Sequence, residues 1–447
     1  MNKVVDMTVG PATPHIIKFA LPLILGSLFQ LTYNASDSII VGRFVGTNAL
    51  AAVGAASPIM NIILFFIIGI CLGMSVLMGE FFGAGDYAKL KREISTSMIG
   101  GGIFTLAIII LGIIFSHFIL RLMRTPDEII NDSTHYLQII FGGLIFTFIY
   151  NIYASTLRSM GNSNASLIFL AISAVLNVIM DFIFVVWLKA GVVGTAWATF
   201  TAEAMSAICC VIYVKTQIPI LHFKKKEFVF DRSLLRRTVN YSSVAAMQQI
   251  CLCVGKLLVQ GAVNPLGIHS IAAFNAVGKV DDFVMTPQQN IAHAATGYIA
   301  QNHGAGNINN IRKGFRVGMK IELVYSAILM TTIFFFANGI TSLFVGNEGE
   351  RVIESGAIYL ETMSFYYFMP GLTNILQGYF RGVGKLKYTL NSTFIQITGR
   401  VVAAYMLAPV FKLRGVAIAC LIGWIIMLAY EVPLFSKAWK KLGILVS

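Results

Sequence analysis

Charged residues are scarce in this sequence. Asp, Glu, Lys and Arg together make up 12% of its 447 residues, hydrophobic residues make up 57%, and the mean hydropathy is +0.76. A soluble domain cannot cover its surface with so few charges, since about a quarter of an ordinary globular chain is charged. The composition therefore excludes a soluble globular protein and predicts a chain that crosses a membrane many times.

Acidic residues are the scarcer of the two charge types. The chain has 20 acidic and 33 basic residues, which gives a formal net charge of +13. In a soluble protein such an excess would suggest nucleic-acid binding. Here the basic residues lie mainly at the ends of apolar runs, as the orientation of membrane helices requires. We therefore expect lipid around the chain and no nucleic-acid partner.

Cysteine and catalytic motifs are also sparse. The six cysteines fall inside apolar runs without metal-ligand spacing, so we interpret them as small core residues. The sequence contains no G-x-x-x-x-G-K-[ST] loop and no nucleophile–base or metal-ligand cluster, so it predicts neither ATP drive nor an enzyme, and no cofactor. The first apolar run lacks the features of a cleaved signal peptide, and we expect none.

What the sequence does contain is a series of apolar runs of about 20 residues, the length that spans a bilayer. Twelve such runs fall near residues 16–41, 49–78, 97–120, 135–157, 165–188, 192–214, 238–262, 270–300, 317–343, 353–379, 388–410 and 415–436. Of the 33 basic residues, 23 fall on the side of both termini, and the other side has seven: Arg43, Arg121, Arg124, Lys189, Arg351, Lys412 and Arg414. This asymmetry predicts a multi-pass protein of the plasma (cytoplasmic) membrane with both termini in the cytoplasm.

The chain also repeats itself at a shift of about 221 residues. The element Gly83–Ala84–Gly85–Asp86 matches Gly304–Ala305–Gly306–Asn307, and Leu157-Arg158-x-x-Gly161 matches Phe380-Arg381-x-x-Gly384 at a slightly longer shift. An even number of spans in each half makes the two repeats parallel. The fold class is therefore all-α and membrane-integral, with a six-helix lobe over 1–214, a basic cytoplasmic connection over 215–237 and a second six-helix lobe over 238–447.

The first helix has one polar stripe. Ser27, Gln30, Asn34 and Asp37 are spaced by three, four and three residues, so they share one helical face. A carboxylate inside a bilayer requires a partner, water or a function. Pro22 lacks a backbone N–H group, which makes it the expected hinge of this helix.

Two later helices bring polar groups to a similar depth. With a rise of about 1.5 Å per residue, Asp37, Asp181 and Thr199 lie roughly 9 to 12 Å from the outer ends of their helices. Asn177 precedes Asp181 by one helical turn and shares its face. One interpretation is that Asp37 only caps a helix end near the headgroups. The alternative is a cation site formed by Asp37, Asn177, Asp181 and Thr199, which would bind a proton or, through its oxygen ligands, Na⁺.

The second lobe has a polar stripe of its own on the eighth helix, formed by Asn275, Lys279, Asp282, Thr286, Gln289 and His293. Lys279 and Asp282 are three residues apart, which predicts either a structural ion pair or a cavity wall. For the intramembrane Arg400 we expect Glu361 or Asp281 as the partner. The residues predicted to line a substrate cavity are Gln30, Asn34, Glu203, Lys279, Asp282 and Gln289, with Glu203 equally able to bond a neighbouring helix.

With these features the sequence resembles the multidrug and toxic compound extrusion (MATE) transporters over essentially its whole length. Pro22 and Asp37 look like the proline and aspartate of that family's first helix, and Asn177, Asp181 and Thr199 look like its polar groups on the fifth and sixth helices. Phe182 stands where the family often has proline. The stretches Ala246–Met247–Gln248–Gln249 and Phe368–Met369–Pro370 lack the acids of the NorM-like branch. The resemblance therefore points to the DinF-like branch.

The resemblance implies a secondary antiporter that exports organic, lipophilic cationic small molecules in exchange for H⁺ or Na⁺ by alternating access. The coupling ion would be its only bound ion, and we expect the chain to act as a monomer. A flippase or exporter of lipid-linked or polysaccharide precursors is the alternative, since related folds have that function. A receptor or channel fits two parallel six-helix repeats poorly.

Overall fold

The structure of the chain is a computed structural model that describes the backbone of residues 4–223, 227–345 and 350–444. The side chains of residues 33–39, 41, 43, 47, 48, 344, 345, 350 and 442–444 are outside the description. The α-helices are α1 Ala12–Phe44, α2 Thr47–Gly83, α3 Tyr87–Leu122, α4 Asp127–Ser159, α5 Ser163–Asp181, α6 Gly191–Gln217, α7 Arg232–Val263, α8 Ile268–Gly304, α9 Ile308–Val345, α10 Glu350–Ser364, α11 Phe368–Gly382 and α12 Leu386–Ile444.

The predicted all-α fold of twelve membrane spans is confirmed, although the spans and the assigned helices divide differently near the C-terminus. The tenth span is interrupted and consists of α10 and α11, while α12 contains the eleventh and twelfth spans. At 59 residues, α12 would be about 90 Å long if it were straight. It reverses at Lys412, whose φ of 53° and ψ of −135° are not helical. After this turn, a Cβ atom on Gly423 would lie 2.9 Å from the carbonyl oxygen of Gln396 in the preceding half.

Nine helical stretches of the described chain are long and apolar enough to cross a membrane. Neither α8 nor the short pair α10 and α11 is among them, and α12 counts as one stretch. The polar residues on α8 lower its hydropathy, and they include the stripe that the sequence predicts to have a function. A limit on helix length and hydropathy therefore leaves out the most polar helix and the two short helices of the interrupted span.

The backbone repeats along with the sequence. Positive φ angles occur at matching places in the two halves, at Gly46 and Gly267, at Gly85 and Gly306, at Gly161 and Gly384, and at Lys189 and Lys412. The two lysines are L-residues in a conformation that costs about 1 kcal/mol or more. Both occur at the turn before the last helix of a repeat, so the two halves share a positive φ angle at this turn.

The turns after α2 and α8 show why the Gly-Ala-Gly element recurs. Gly85 and Gly306 turn the chain, and the next residue caps the following helix. Asp86 Oδ1 accepts a hydrogen bond from the Lys89 backbone N–H at 3.0 Å, and Asn307 Oδ1 accepts one from the Asn310 N–H at 3.1 Å. Hydrogen bonds from Lys89 hold the pKa of Asp86 below its ordinary value.

The contacts divide the chain into two compact units, which differ from the lobes predicted by position alone. The first unit contains residues 1–6 and 21–246, and the second contains 7–20 and 247–447. The helices α1 and α7 therefore each contribute to both units. The predicted boundaries at 214 and 238 follow the sequence repeat, whereas the two units follow the contacts.

In the first unit, the N-terminal half of α7 packs closely on α2. A Cβ atom on Gly73 would lie 2.5 Å from the Cα atom of Ser242, and one on Gly69 would lie 2.5 Å from that of Ala246. Ser242 Oγ donates a hydrogen bond to the carbonyl oxygen of Ile70 at 2.9 Å. Small residues let these two backbones touch, as is common between membrane helices.

The second unit includes the segment that precedes α1. The Met7 N–H donates to Gln301 Oε1 at 2.9 Å, and Asn302 Nδ2 donates to the Met7 carbonyl oxygen at 3.1 Å. Ile16 and Phe19 are buried in the same unit. Residues 7–20 are therefore bound to the C-terminal end of α8 by both hydrogen bonds and apolar contacts.

Candidate cation-coupling site

The predicted polar face of α5 is buried in the first unit. Asn177 is 3% exposed and Asp181 is 0% exposed. Asn177 Nδ2 donates a hydrogen bond to Thr199 Oγ1 on α6 at 3.4 Å. Two of the groups that the sequence predicts at one depth are thus in contact, and a fully buried carboxylate lies one helical turn from them.

The backbone geometry changes directly after Asp181. The α-helix α5 ends at this residue, and Phe182–Trp187 form a π-helical turn. Its wider spacing is seen in the hydrogen bond from the Leu188 N–H to the Ile183 carbonyl oxygen at 2.9 Å. Turns of this type are rare and frequently occur at functional sites. This local change falls at Phe182, where the sequence departs from the proline often found in the family it resembles.

The first-helix part of the predicted site is only partly described. The backbone of α1 is helical through Asn34 and Asp37, but the side chains of both residues lie outside the described part of the structure. Pro22 is buried inside α1, and Gln30 is exposed. The participation of Asp37 and Asn34 in a cation site therefore stays a prediction.

Glu203 on α6 bonds a neighbouring helix. Thr147 Oγ1 on α4 donates a hydrogen bond to Glu203 Oε2 at 2.5 Å. A Cβ atom on Gly143 would lie 3.6 Å from the same carboxylate oxygen. The sequence leaves two roles open for Glu203, which are lining a substrate cavity and bonding a neighbouring helix. The structure shows the bond to a neighbouring helix.

On α8 the predicted ion pair between Lys279 and Asp282 is wrong. Asp282 Oδ1 accepts a hydrogen bond from Lys256 Nζ on α7 at 2.6 Å, whereas Lys279 is exposed. Lys256 had no partner assignable from the sequence, because pairs between different helices leave no spacing signal. Gln289, also predicted to line a cavity, is exposed.

Of the two partners expected for Arg400, the structure provides Asp281. Arg400 interacts electrostatically with Asp281 and with Cys420. The Asp281 carboxylate also accepts hydrogen bonds from the hydroxyl groups of Tyr359, at 2.8 Å, and Tyr367. Asp281 is therefore held by groups from several helices of the second unit.

Sequence reasoning missed three further buried acids. Glu93 is 0% exposed and accepts hydrogen bonds from Ser97 and Thr238. Glu431 is 0% exposed and interacts with the buried Arg381, and Glu322 is 1% exposed. The signal was present for Glu322 and Glu431, because both fall inside predicted spans.

A comparison with known proteins identifies the family of the chain. The MatE family model matches the chain twice, over residues 22–183 and 245–406. The chain belongs to the MATE family. The two matches are offset by about the length of the internal repeat, so one copy of the family's unit falls in each half of this MATE protein. It is accordingly a membrane transporter and not an enzyme.

Individual relatives agree with this assignment along the whole chain. The "Probable multidrug resistance protein YoeA" of Bacillus subtilis (strain 168) is 26% identical over 95% of this chain and 93% of its own. The "Multidrug export protein MepA" of Staphylococcus haemolyticus (strain JCSC1435) is 21% identical over 91% and 89%, respectively. A solved structure described as "Crystal structure of MATE in complex with MaL6" has the same fold, with a TM-score of 0.93 at 21% identity, over 99% of this chain and 100% of that one.

Proposed function

We propose that this MATE transporter is a secondary antiporter that exports lipophilic, cationic organic compounds in exchange for H⁺ or Na⁺ by alternating access. The observation that carries the proposal is the double match of the MatE family model to the two halves of the chain. The names of the relatives in Bacillus and Staphylococcus support multidrug export as the activity. We also propose that the transporter acts as a monomer in the plasma membrane with both termini in the cytoplasm.

The coupling cation would bind in the first unit, at Asp37, Asn177, Asp181 and Thr199. The contact between Asn177 and Thr199 and the complete burial of Asp181 support this location. Carboxylate, amide and hydroxyl oxygens suit a hard cation such as Na⁺. The buried Asp181 would also accept a proton, because burial disfavours the charged form of a carboxyl group, and a second acid close to it would add to this effect.

Pro22 supports a mechanical link between cation binding and transport. It lies two residues beyond the point at which α1 passes from the second unit to the first. Its ring removes one backbone hydrogen bond of α1 and allows the helix to bend there. Neutralising Asp37 on the same helix would change the balance between straight and bent forms. Cation binding would then cause drug release if neither the straight nor the bent form of α1 binds the cation and the drug tightly at the same time.

The test is drug efflux from proteoliposomes on which a Na⁺ gradient and a pH gradient are imposed separately. We expect one of the two gradients to drive efflux of a fluorescent lipophilic cation, and the gradient that does so identifies the coupling ion. Efflux driven by neither gradient would refute the antiport proposal.

Asp37→Asn tests the coupling site. The amide keeps the size of the side chain but cannot ionise or take up a proton, so we expect gradient-driven efflux to be lost while the protein reaches the membrane in normal amounts. Glu128→Gln is the matched control, because Glu128 is an exposed carboxylate at the start of α4. Undiminished drug resistance in cells that produce Asp37→Asn would rule out Asp37 as the coupling residue.

A further inference from the structure

The second unit contains a buried carboxylate that the predicted cation site does not use. Glu322 lies on α9 and is 1% exposed. Among the described residues, neither of its carboxylate oxygens has a hydrogen-bond partner. An ionised carboxylate buried without a partner is very unfavourable, so the group requires a proton or a cation.

Two polar side chains, Gln288 on α8 and Ser326 on the same helix as Glu322, lie at the place where α11 passes Glu322. Gln288 Nε2 on α8 donates hydrogen bonds to Ser326 Oγ at 3.1 Å and to the Tyr367 carbonyl oxygen at 2.8 Å. The other end of this amide, Gln288 Oε1, is buried and has no partner among the described residues. A Cβ atom on Gly371 of α11 would lie 3.0 Å from Ser326 Oγ and 3.2 Å from Glu322 Oε2. The glycine therefore leaves the space in which these groups meet.

The first unit shows what this place looks like without the carboxylate. By the repeat, Glu322 corresponds to Gly101 and Gly371 corresponds to Phe148. In the first unit, a Cβ atom on Gly101 would lie 2.4 Å from the Phe148 ring. The larger and the smaller residue have thus exchanged helices between the two halves. The first half has glycine against an aromatic ring, and the second half has a buried acid against glycine. The acid is therefore not needed to fill this position in the fold.

Tyr367 contacts both Gln288 and a second acid of the unit, Asp281. It lies in the break between α10 and α11, where its carbonyl oxygen accepts from Gln288 and its hydroxyl group donates to Asp281. Spans broken in this way frequently form ion sites in transporters. Tyr367 therefore bonds Gln288 through its backbone and Asp281 through its side chain.

The surroundings favour a proton over a metal ion. The groups that face Glu322 are Tyr325 and Ser326 on its own helix, Gln288 on α8 and Gly371 on α11. No charged side chain of the described residues on α8, α10 or α11 interacts with it. One proton satisfies both orphaned groups at once, since a protonated carboxyl group donates to an amide oxygen. Na⁺ would need several more oxygen ligands than these side chains supply.

We propose that Glu322 is a proton-binding group of the second unit, which takes up a proton from water at one face of the membrane and returns it at the other during transport. In the protonated state its O–H group donates to Gln288 Oε1. The second unit would then bind a proton in addition to the cation proposed for the first.

The binding of a proton is tested without any transport measurement. Infrared spectra of the purified protein are recorded as the pH is raised, and the carboxyl C=O band of the wild type is compared with that of Glu322→Gln. We expect one titrating band to be absent from the variant. Identical titrating bands in the two proteins would overturn the proposal.

The role in transport rests on the proposed antiport and is tested with a swap variant, Glu322→Gly with Gly371→Phe, which rebuilds the contact of the first unit. We expect it to fold, as judged by its elution and melting temperature, and to lose efflux driven by a pH gradient; Glu322→Gln should lose it too. Retained pH-driven efflux in the swap variant would mean that Glu322 only packs. Loss of Na⁺-driven efflux alone would mean that the site binds Na⁺, and it would equally overturn the proposal. A wild type with the titrating band but no efflux would refute the antiport instead.

Discussion

Gly73→Ala is expected to destabilise the first unit. The added Cβ atom would lie 2.5 Å from Ser242 Cα, whereas carbon atoms pack at about 3.5 to 4.0 Å. The helices α2 and α7 would have to separate by about 1 Å, which would also strain the hydrogen bond from Ser242 to Ile70. Overpacking of this kind costs about 1–3 kcal/mol and a lost hydrogen bond about 1 kcal/mol, while alanine gains about 1 kcal/mol in helix propensity. The net loss is about 2 kcal/mol.

The assay is the apparent melting temperature of the purified protein in detergent. For a unit of this size, about 2 kcal/mol corresponds to a decrease of roughly 4–8 °C. Gly102→Ala is the matched control, because a Cβ atom on Gly102 of α3 would meet nothing within 4 Å. This control should melt slightly above the wild type. If Gly73→Ala melts as high as Gly102→Ala, the close approach of α2 and α7 does not limit stability and the reasoning is refuted.

The pair Lys256 and Asp282 is exposed by 67% and 48%, so a double-mutant cycle with Lys256→Met and Asp282→Asn should give a coupling of less than about 1 kcal/mol in thermal stability; a larger coupling would contradict this. The pKa of Asp86 is lowered in the folded state, so its ionised form stabilises the protein above about pH 4, and this contribution is lost as the pH falls through the folded pKa. Asp86→Asn keeps a capping acceptor but does not titrate, so its melting temperature should fall less than that of the wild type between neutral pH and about pH 3. An equal fall in both proteins would exclude Asp86 as a contributor.

Hydrophobic runs and repeated turns were sufficient to predict the fold, because membrane spans have a strong local signal. The break near Tyr367 was not predictable in this way, since an interrupted span has the same hydropathy as a continuous one. The division into contact-based units is not visible in the sequence for a different reason. Residues 7–20 join the second unit through contacts almost 300 positions away in sequence, such as that of Met7 with Gln301, and hydropathy does not record long-range contacts.

The candidate site was predictable where periodicity and depth act together, as for Asn177 and Thr199, which are in contact. Side-chain partners on different helices were harder to predict from the sequence. The pair predicted for Asp282 was wrong because spacing along one helix identifies only neighbours on that helix, and Lys256 reaches it from another. Glu322 was overlooked because its polar neighbours become visible only when three helices are assembled around Gly371.

Residues 7–20 leave the ribosome before any other part of the second unit, and residues 232–246 complete the first unit only after α1 to α6 have been made. The second unit therefore consists of residues 7–20 alone until the whole of the first unit has been synthesised. The N-terminal segment must wait, without its partners on α8, through the synthesis of more than half of the chain. Neither unit can then be produced intact by cutting the gene once in the 215–237 connection, because the first fragment would lack at least residues 238–246 of its unit and the second would lack residues 7–20.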